Sequence, residues 1–497
     1  MVKMKKQIFN PYLPLNVYIP DGEPHVFGDR VYVYGSHDQE GGHDFCVLDY
    51  EVWSAPVDDL TAWSCPGTAY SAKQDPDWTP TRGYAMYAPD CVRGNDGRYY
   101  LYYALAGGGL FTGPIHAAVS DRPDGPFRYH GCVRNADGSP ITDYITFDPA
   151  VINDDGVIRL YYGTSLFLPA EQLAKGGLSR DQLEFVLKFF GKKPQEFGDH
   201  PTRLMQACAV ELNDDMLTVR HKPRPIVPGQ LDAAGTSFEG HAFHEASSIR
   251  KIGDTYYFIY SSQHQHELCY ATSPYPDRDF VYGGVIVDNG DIGFHGRAEG
   301  DRVMMTGNNH GGMAQINGQW YIFYHRQTHL NTFSRQSCAE KITLRPDGRI
   351  DQAEVTSCGL NGGPLAARGV YPASICCCLT NGHMPHIGQQ DWADPMPAIT
   401  HEGAEHFLTG ISDGVTVGYK YFAFDGPCAL KITCRGTAEG TLSVALEDRV
   451  CGEIAVHPAA EWTETGSLIR ADGSHALYFT FHGEGTLDIR ELSFSAE

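Results

Sequence analysis

A chain of 497 residues is too long for one small core and predicts a large domain with a smaller one beside it. Its composition, 42% hydrophobic and 20% charged without a low-complexity tract, excludes a disordered or fibrous protein. A net charge of −23 excludes a polyanion partner, because phosphate binding needs the opposite sign, and suits a soluble protein acting on a neutral substrate such as a sugar.

The first stretch, "MVKMKKQIFNPYLPL", carries basic residues but no apolar run, and no segment approaches the roughly 18 apolar residues of a membrane span. The fourteen cysteines form neither a paired CxxC zinc pattern nor a regular disulfide framework. Three adjacent thiols, Cys376, Cys377 and Cys378, fit a reducing compartment, so the expected location is the cytoplasm.

Next comes a repeated cadence. It runs through "EPHVFGDRVYVYGS" (Glu23 to Ser36), "APDCVRGNDGRYYLYYAL" (Ala88 to Leu105) and "YITFDPAVINDDGVIRLYYG" (Tyr144 to Gly163). It returns in "EASSIRKIGDTYYFIYSS" (Glu245 to Ser262) and "HGGMAQINGQWYIFYHRQ" (His310 to Gln327). Each copy reads as a short strand, a Gly/Asp/Asn turn and a second strand rich in Tyr, Val, Ile or Phe, which is a β-hairpin signal. The copies lie about 60 to 100 residues apart, leaving room for two more strands each. Five units of four antiparallel strands describe a five-bladed β-propeller over residues 1–355; a sandwich of repeated hairpins is the alternative.

One segment breaks the cadence. In "LSRDQLEFVLKFFG" (178–191), Leu183, Val186, Leu187 and Phe190 recur at helical spacing, Ser179 with Gln182 forms a capping box, and Gly191 can stop the helix. It predicts a helical insertion between blades that packs on the surface. Residues 356–392 read as a linker. Residues 393–497 hold alternating strands between Gly-rich turns and predict a β-sandwich of jelly-roll type. The fold class is all-β.

The innermost strands of a propeller line a central channel, so the residues that head them converge. Here the heads are Asp21 with Glu23, then Ala88, Asp148, Glu245 and His310. Glycoside hydrolysis needs one protonated acid for the leaving oxygen and one ionised carboxylate to activate water or attack carbon. A third carboxylate can hold up the acid's pKa. Each carboxylate alone reads as turn chemistry; three at equivalent repeat positions point to catalysis.

With these residues identified, the chain resembles glycoside hydrolase family 43 over residues 8 to 355. "FDPAVINDDGVIRLYYG" is similar to the family's middle-Asp motif and "HEASSIRKIGDTYYFIYSS" to its Glu motif. "YAPDCVRGNDGRYYLYY" resembles its WAPD segment with Tyr87 in place of Trp, and "NNHGGMAQINGQWYIFYHR" its fifth-blade His segment. The resemblance implies that Glu245 is the general acid, that Asp148 orients it and raises its pKa, and that Asp21 is the base that activates water with inversion. It also implies that His310 sits near the channel floor on water or a calcium ion, and that Arg335 contacts substrate. The first motif, "IPDGEPHVFGD", departs from the family's Asp-Pro. Counting back from Gly28 selects Asp21, and aligning the proline selects Glu23.

Further substrate-binding candidates are His37 and Asp38 in "YGSHD", Tyr87, and Glu239 in "SFEGHAFHEASS", the last also a rival for the acid. Xylosidases of the family tend to carry an aromatic near "YGSHD", so Asp38 weakens that assignment. The C-terminal region resembles a family 6 carbohydrate-binding module, with Trp462 and Tyr478 as stacking candidates or core residues.

No Walker A, Rossmann, HExxH or nucleophile-elbow pattern is present. The resemblance implies an inverting glycosidase that removes pentose units from plant-cell-wall oligosaccharides, an α-L-arabinofuranosidase first and a β-xylosidase next. A non-catalytic sugar-binding propeller and a retaining fructan-active enzyme are the other readings. The expected partner is an oligosaccharide, with no nucleic acid and no membrane, and the oligomeric state stays open. No cofactor is required for the chemistry, and a structural calcium ion in the channel is allowed.

Overall fold

The tyrosine-rich hairpins form where the cadence places them. The third shows why. Ala150–Asp154 pairs antiparallel with Val157–Tyr162, and the two residues between, Asp155 and Gly156, have φ of 51° and 91°. Positive φ at both positions gives a turn whose twist matches the strands, and an Asp-Gly pair tolerates it. Asp154 does more than shape this turn: it pairs with Lys251 at 2.6 Å and accepts the Tyr256 hydroxyl at 2.6 Å, both in the next blade.

The computed structural model describes residues 7–496 apart from 77, 79–84, 108–109, 112–113, 142, 167, 169, 175–176, 190–192, 194 and 196–203. Blade one comprises Glu23–Phe27, Arg30–Tyr34, Tyr50–Pro56 and Thr68–Tyr70. Blade two comprises Ala85–Arg93, Tyr99–Gly107, His116–Ser120 and Arg128–Cys132, with the short Leu110–Phe111 beside its second strand. Blade three adds Gln206–Glu211 and Arg224–Pro228 to its hairpin. Blade four is Phe243–Ile252, Thr255–Ser262, Glu267–Ser273 and Val281–Asp288.

Blade five departs from the expected four strands. Among the described residues its sheet has three: Met313–Ile316, Gln319–Gln327 and Arg335–Ile342. The N-terminal segment occupies the edge that a fourth strand would need. Tyr12 donates its N–H to Ser337 O at 3.2 Å, and the Asn10 amide reaches Ala339 O at 3.0 Å and Glu340 at 2.8 Å. The Gly22–Gly311 bridge joins the first and last inner strands, so the ring closes there.

Cores lie between adjacent blades. Blades three and four share Tyr161, Phe243, Phe258 and Tyr260; blades two and three share Tyr100, Tyr102, Leu160 and Tyr162. Tyrosine suits this work because its ring fills the layer while its hydroxyl reaches backbone elsewhere in the ring. Tyr102 donates to Met216 O at 2.7 Å, and Tyr161 to Pro276 O at 2.9 Å.

The predicted helix spans Arg180–Phe189, and its capping box forms, with Gln182 N–H to Ser179 Oγ at 3.3 Å and Ser179 N–H to Gln182 Oε1 at 2.9 Å. Leu187 is buried with Ile145 and Phe147, while Leu183 packs alongside. Phe190, Gly191 and the side chain of Val186 lie outside the described residues.

Two six-stranded sheets form the C-terminal sandwich around Phe422, Leu430, Leu442, Phe479 and Leu492. Residues 356–392, expected as a linker, supply Leu365–Ala366, Gly369–Pro372 and Cys378–Thr380 to these sheets. The sandwich is anchored to the propeller by buried polar contacts. Arg326 of blade five donates to Cys376 O at 2.7 Å and Ser374 O at 2.5 Å, and Lys420 pairs with Asp291 at 2.8 Å and Glu354 at 3.0 Å.

Candidate active site

The carboxylates are turned inward by local backbone geometry. Asp21 and Asp148 have φ of 60° and 44°, and Ala246, next to Glu245, has φ of 70°. These left-handed residues interrupt extended chain at the inner strands of blades one, three and four, an arrangement that costs free energy and clusters at functional sites. The strand carrying Glu245 slips register on both sides of it. Asp21, Asp148 and Glu245 thereby line one cavity of about 330 Å³ at the channel mouth.

Asp21 is buried against one guanidinium and two imidazoles. Arg335 Nη1 lies 2.9 Å from its Oδ1, His325 Nδ1 3.4 Å and His310 Nδ1 3.9 Å. Burial alone would raise the carboxyl, but Arg335, His310 and His325 outweigh it and hold Asp21 below the usual range. His325 itself accepts the Asp21 N–H through Nδ1 and faces Asn308 O through Nε2, which fixes a neutral ring; burial and Arg335 depress it to about 3.

Asp148 has the opposite environment. Burial, Glu245 and Asp21 raise its carboxyl well above the usual range, opposed by the hydrogen bond it accepts from Ala246 N–H at 3.0 Å. His310 Nδ1 lies 3.6 Å from its Oδ2. Glu245 is more accessible, its side chain 22% exposed with His244 Nε2 at 3.8 Å. The cavity thus holds an ionised carboxylate on one blade and a proton-retaining carboxyl next to an accessible one on two others.

Glu23 lies outside the cavity lining. Its Oε1 meets Arg250 at 2.5 Å and accepts from Ser248 Oγ at 3.0 Å. A Cβ on Gly312 would stand 2.3 Å from its other oxygen, so a side chain there would push the Glu23 carboxylate aside. Between the two residues that sequence left open, geometry places Asp21 in the pocket.

Asp38 does not face sugar. Both oxygens are committed to Arg335, at 2.8 and 2.9 Å, and it also accepts the Cys46 N–H at 3.1 Å. It grips the guanidinium whose other arm holds Asp21. His37 is bound to Asp49 O at 2.8 Å and does not line the cavity. Glu239 is exposed and caps a turn at Gly235 N–H, 3.0 Å away. Tyr87, His310 and Arg335 do line the cavity.

Several lining residues escaped sequence reasoning. His244, Gln265, Asn308 and Thr332 add polar groups. Phe45, seven residues past Asp38, supplies an aromatic wall close to where family resemblance looked for one; the Arg335 guanidinium sits 4.8 Å from its ring centre. Ile387, Gly388 and Gln389 form a wall from the segment expected to be a linker. That arm is tied down by Ile387 N–H to Thr306 O at 2.7 Å and Thr332 N–H to Gly388 O at 3.1 Å. No motif marks it; only its docking does. The helix Arg180–Phe189 packs behind the pocket, beside Phe147, Tyr87 and Leu166.

Around His310, water would supply most of the ligands of the expected calcium ion. The imidazole faces two carboxylates as their partner, and among the described residues no set of three ligand atoms gathers at it. In the sandwich, the Trp462 ring lies under Arg435 and Arg490, 4.3 and 5.0 Å from its centre. Tyr478 packs against Gly418, where a Cβ would come within 2.5 Å of its ring. Neither ring is left as a free stacking platform.

Known proteins share this sequence and architecture. The sequence profile of Glycosyl hydrolases family 43 matches residues 14–167 and 189–350, leaving out the stretch that holds the capped helix. A xylosidase/arabinosidase of Thermoclostridium stercorarium is 43% identical over 99% of this chain and 100% of its own length. A xylosidase/arabinosidase of Bacteroides ovatus is 30% identical over 68% of this chain and 96% of its own. Among solved structures, a GH43_1 enzyme of Xanthomonas citri aligns with a TM-score of 0.50 at 25% identity, covering 70% of this chain and 93% of that one.

Proposed function

The chain belongs to glycosyl hydrolases family 43 and is a glycosidase, and on that premise we propose that it removes terminal pentose units from plant-cell-wall oligosaccharides with inversion at the anomeric carbon. The first substrate class is α-L-arabinofuranosides. The observation that carries the mechanism is the unequal proton demand of the carboxylates: Asp21 held ionised by Arg335, Asp148 held high beside Glu245.

Asp21 accepts a proton from a water molecule, whose oxygen bonds to the anomeric carbon. The bond from that carbon to the leaving oxygen breaks as Glu245 gives the oxygen its proton. Asp148 touches neither water nor leaving group. It positions Glu245 through the Ala246 N–H, and burial of Asp148 beside Glu245 keeps one proton on the pair. Arg335, gripped by Asp38, keeps Asp21 ionised and in place.

A cavity closed on one side by Ile387 and Gln389 supports attack on chain ends. β-Xylosides are the second reading, favoured by Phe45, which brings an aromatic ring into the cavity lining near the point where Asp38 had argued against one. The test is proton NMR of the first sugar released from aryl α-L-arabinofuranoside and aryl β-xyloside. The inverted anomer supports Asp21 as base, a retained anomer overturns it, and the ratio of the two kcat/KM values ranks the substrates.

A further inference from the structure

At the rim of blade four, outside the catalytic pocket, three side chains of metal-ligating type converge. His241 Nδ1 lies 2.7 Å from Glu267 Oε1, and Cys269 Sγ lies 3.4 Å from that oxygen and 4.0 Å from the same nitrogen. A circle through three points so spaced has a radius of about 2.0 Å, so an ion just off their plane meets all three at zinc bond lengths, roughly 2.0–2.3 Å. We propose that His241, Glu267 and Cys269 form a zinc-type divalent-metal site, with water completing the tetrahedron.

Their surroundings suit that role. Glu267 and Cys269 are buried, while the His241 side chain is 33% exposed and gives an ion access. The Tyr282 ring stacks on His241 at 4.7 Å, and the Ser262 hydroxyl holds Glu267 Oε1 at 2.5 Å. Such neighbours fix the orientation of ligands. The other cluster of this kind, Glu23, His25 and Asp90, already has the Arg250 guanidinium against Glu23 and would repel a cation.

The location gives the site a consequence. His241 stands just before Phe243–Ile252, the strand that carries His244 and Glu245, and Gln265 of the pocket lies two residues before Glu267. An ion here ties together the two segments that present those residues. Binding displaces the Nδ1 proton that His241 shares with Glu267, expels the Cys269 thiol proton to solvent, and forms nitrogen–metal and thiolate–metal bonds.

Cobalt(II) reports the site without reference to activity. Chelator-treated protein titrated with cobalt should take up one ion and develop the near-ultraviolet thiolate-to-metal charge-transfer band with strong tetrahedral visible bands. Cys269→Ser should lose the thiolate band while keeping its circular dichroism, which assigns the sulfur among fourteen cysteines. His241→Ala removes a ligand outright and should weaken zinc by more than the roughly 10- to 100-fold that loss of an outer-shell partner costs, read by competition with a chromophoric chelator, and zinc should raise the Tm of the wild type well above that of these variants. Absence of a thiolate band in the wild type overturns the proposal, as does zinc affinity unchanged in Cys269→Ser.

Discussion

Asp148 and Ala246 are joined across two blades by one hydrogen bond: the carboxylate of the first accepts the backbone N–H of the second at 3.0 Å. The middle acid therefore holds the chain at Glu245 as well as sharing a buried proton with it. Asp148→Asn keeps an oxygen for that N–H and removes only the titratable carboxyl. Asp148 is raised partly by Glu245, and the repulsion is mutual. Without the Asp148 carboxyl the pair no longer retains its proton to high pH, so the basic limb of kcat/KM against pH moves to lower pH. An unmoved basic limb would show that Asp148 acts by geometry alone.

Glu245→Gln should lose roughly 10²–10⁴-fold on natural oligosaccharides, whose leaving groups need a proton. Activated aryl pentosides, which leave without one, should lose far less. Equal losses on the two substrates would remove Glu245 from the donor role.

Arg335 lowers Asp21 against the pull of burial. Arg335→Gln removes that charge, so Asp21 rises and stays protonated to higher pH. The acidic limb of the pH–rate profile should then shift upward, with the greatest loss of kcat at low pH. Arg335→Lys should restore part of the limb but less of the rate, because a lysine cannot make the two-pronged contact with Asp38.

The arm from the sandwich is a wall of the pocket, so Ile387→Ala should alter KM more than kcat. Loss of its contact costs about 1–3 kcal/mol, read as at least a fivefold rise in KM for oligosaccharides. A KM unchanged on both oligosaccharides and aryl pentosides would place substrate away from that wall.

Lys420 is buried between Asp291 and Glu354 where sandwich meets propeller. Lys420→Met strands both carboxylates and should cost about 3–5 kcal/mol. Denaturant unfolding followed separately by the tryptophans of each region would show the two transitions moving apart. A single transition at unchanged midpoint would mean that this pair does not hold the domains together.

The repeat was readable because each hairpin is a local statement: alternation over five or six residues and a turn with its own φ requirements. The capping box of Ser179 and Gln182 was readable for the same reason. Asp38 shows where that kind of reading stops. Its chain neighbourhood looks like a sugar-binding rim, but its partner is Arg335, 297 residues away. Glu239 carried the right chemical type and ended as an exposed turn cap.

The sequence by itself determined the five-fold hairpin cadence, the acids at its heads and the change of texture into a second β domain. Those properties depend on contacts between near neighbours in the chain, which spacing records directly. Ring closure decided the rest. It selected Asp21 over Glu23, turned Asp38 from a substrate contact into the grip on Arg335, and folded Ile387, Gly388 and Gln389 over the pocket. Desolvation and ion pairing depend on which distant groups share a cavity, and no local pattern carries that information.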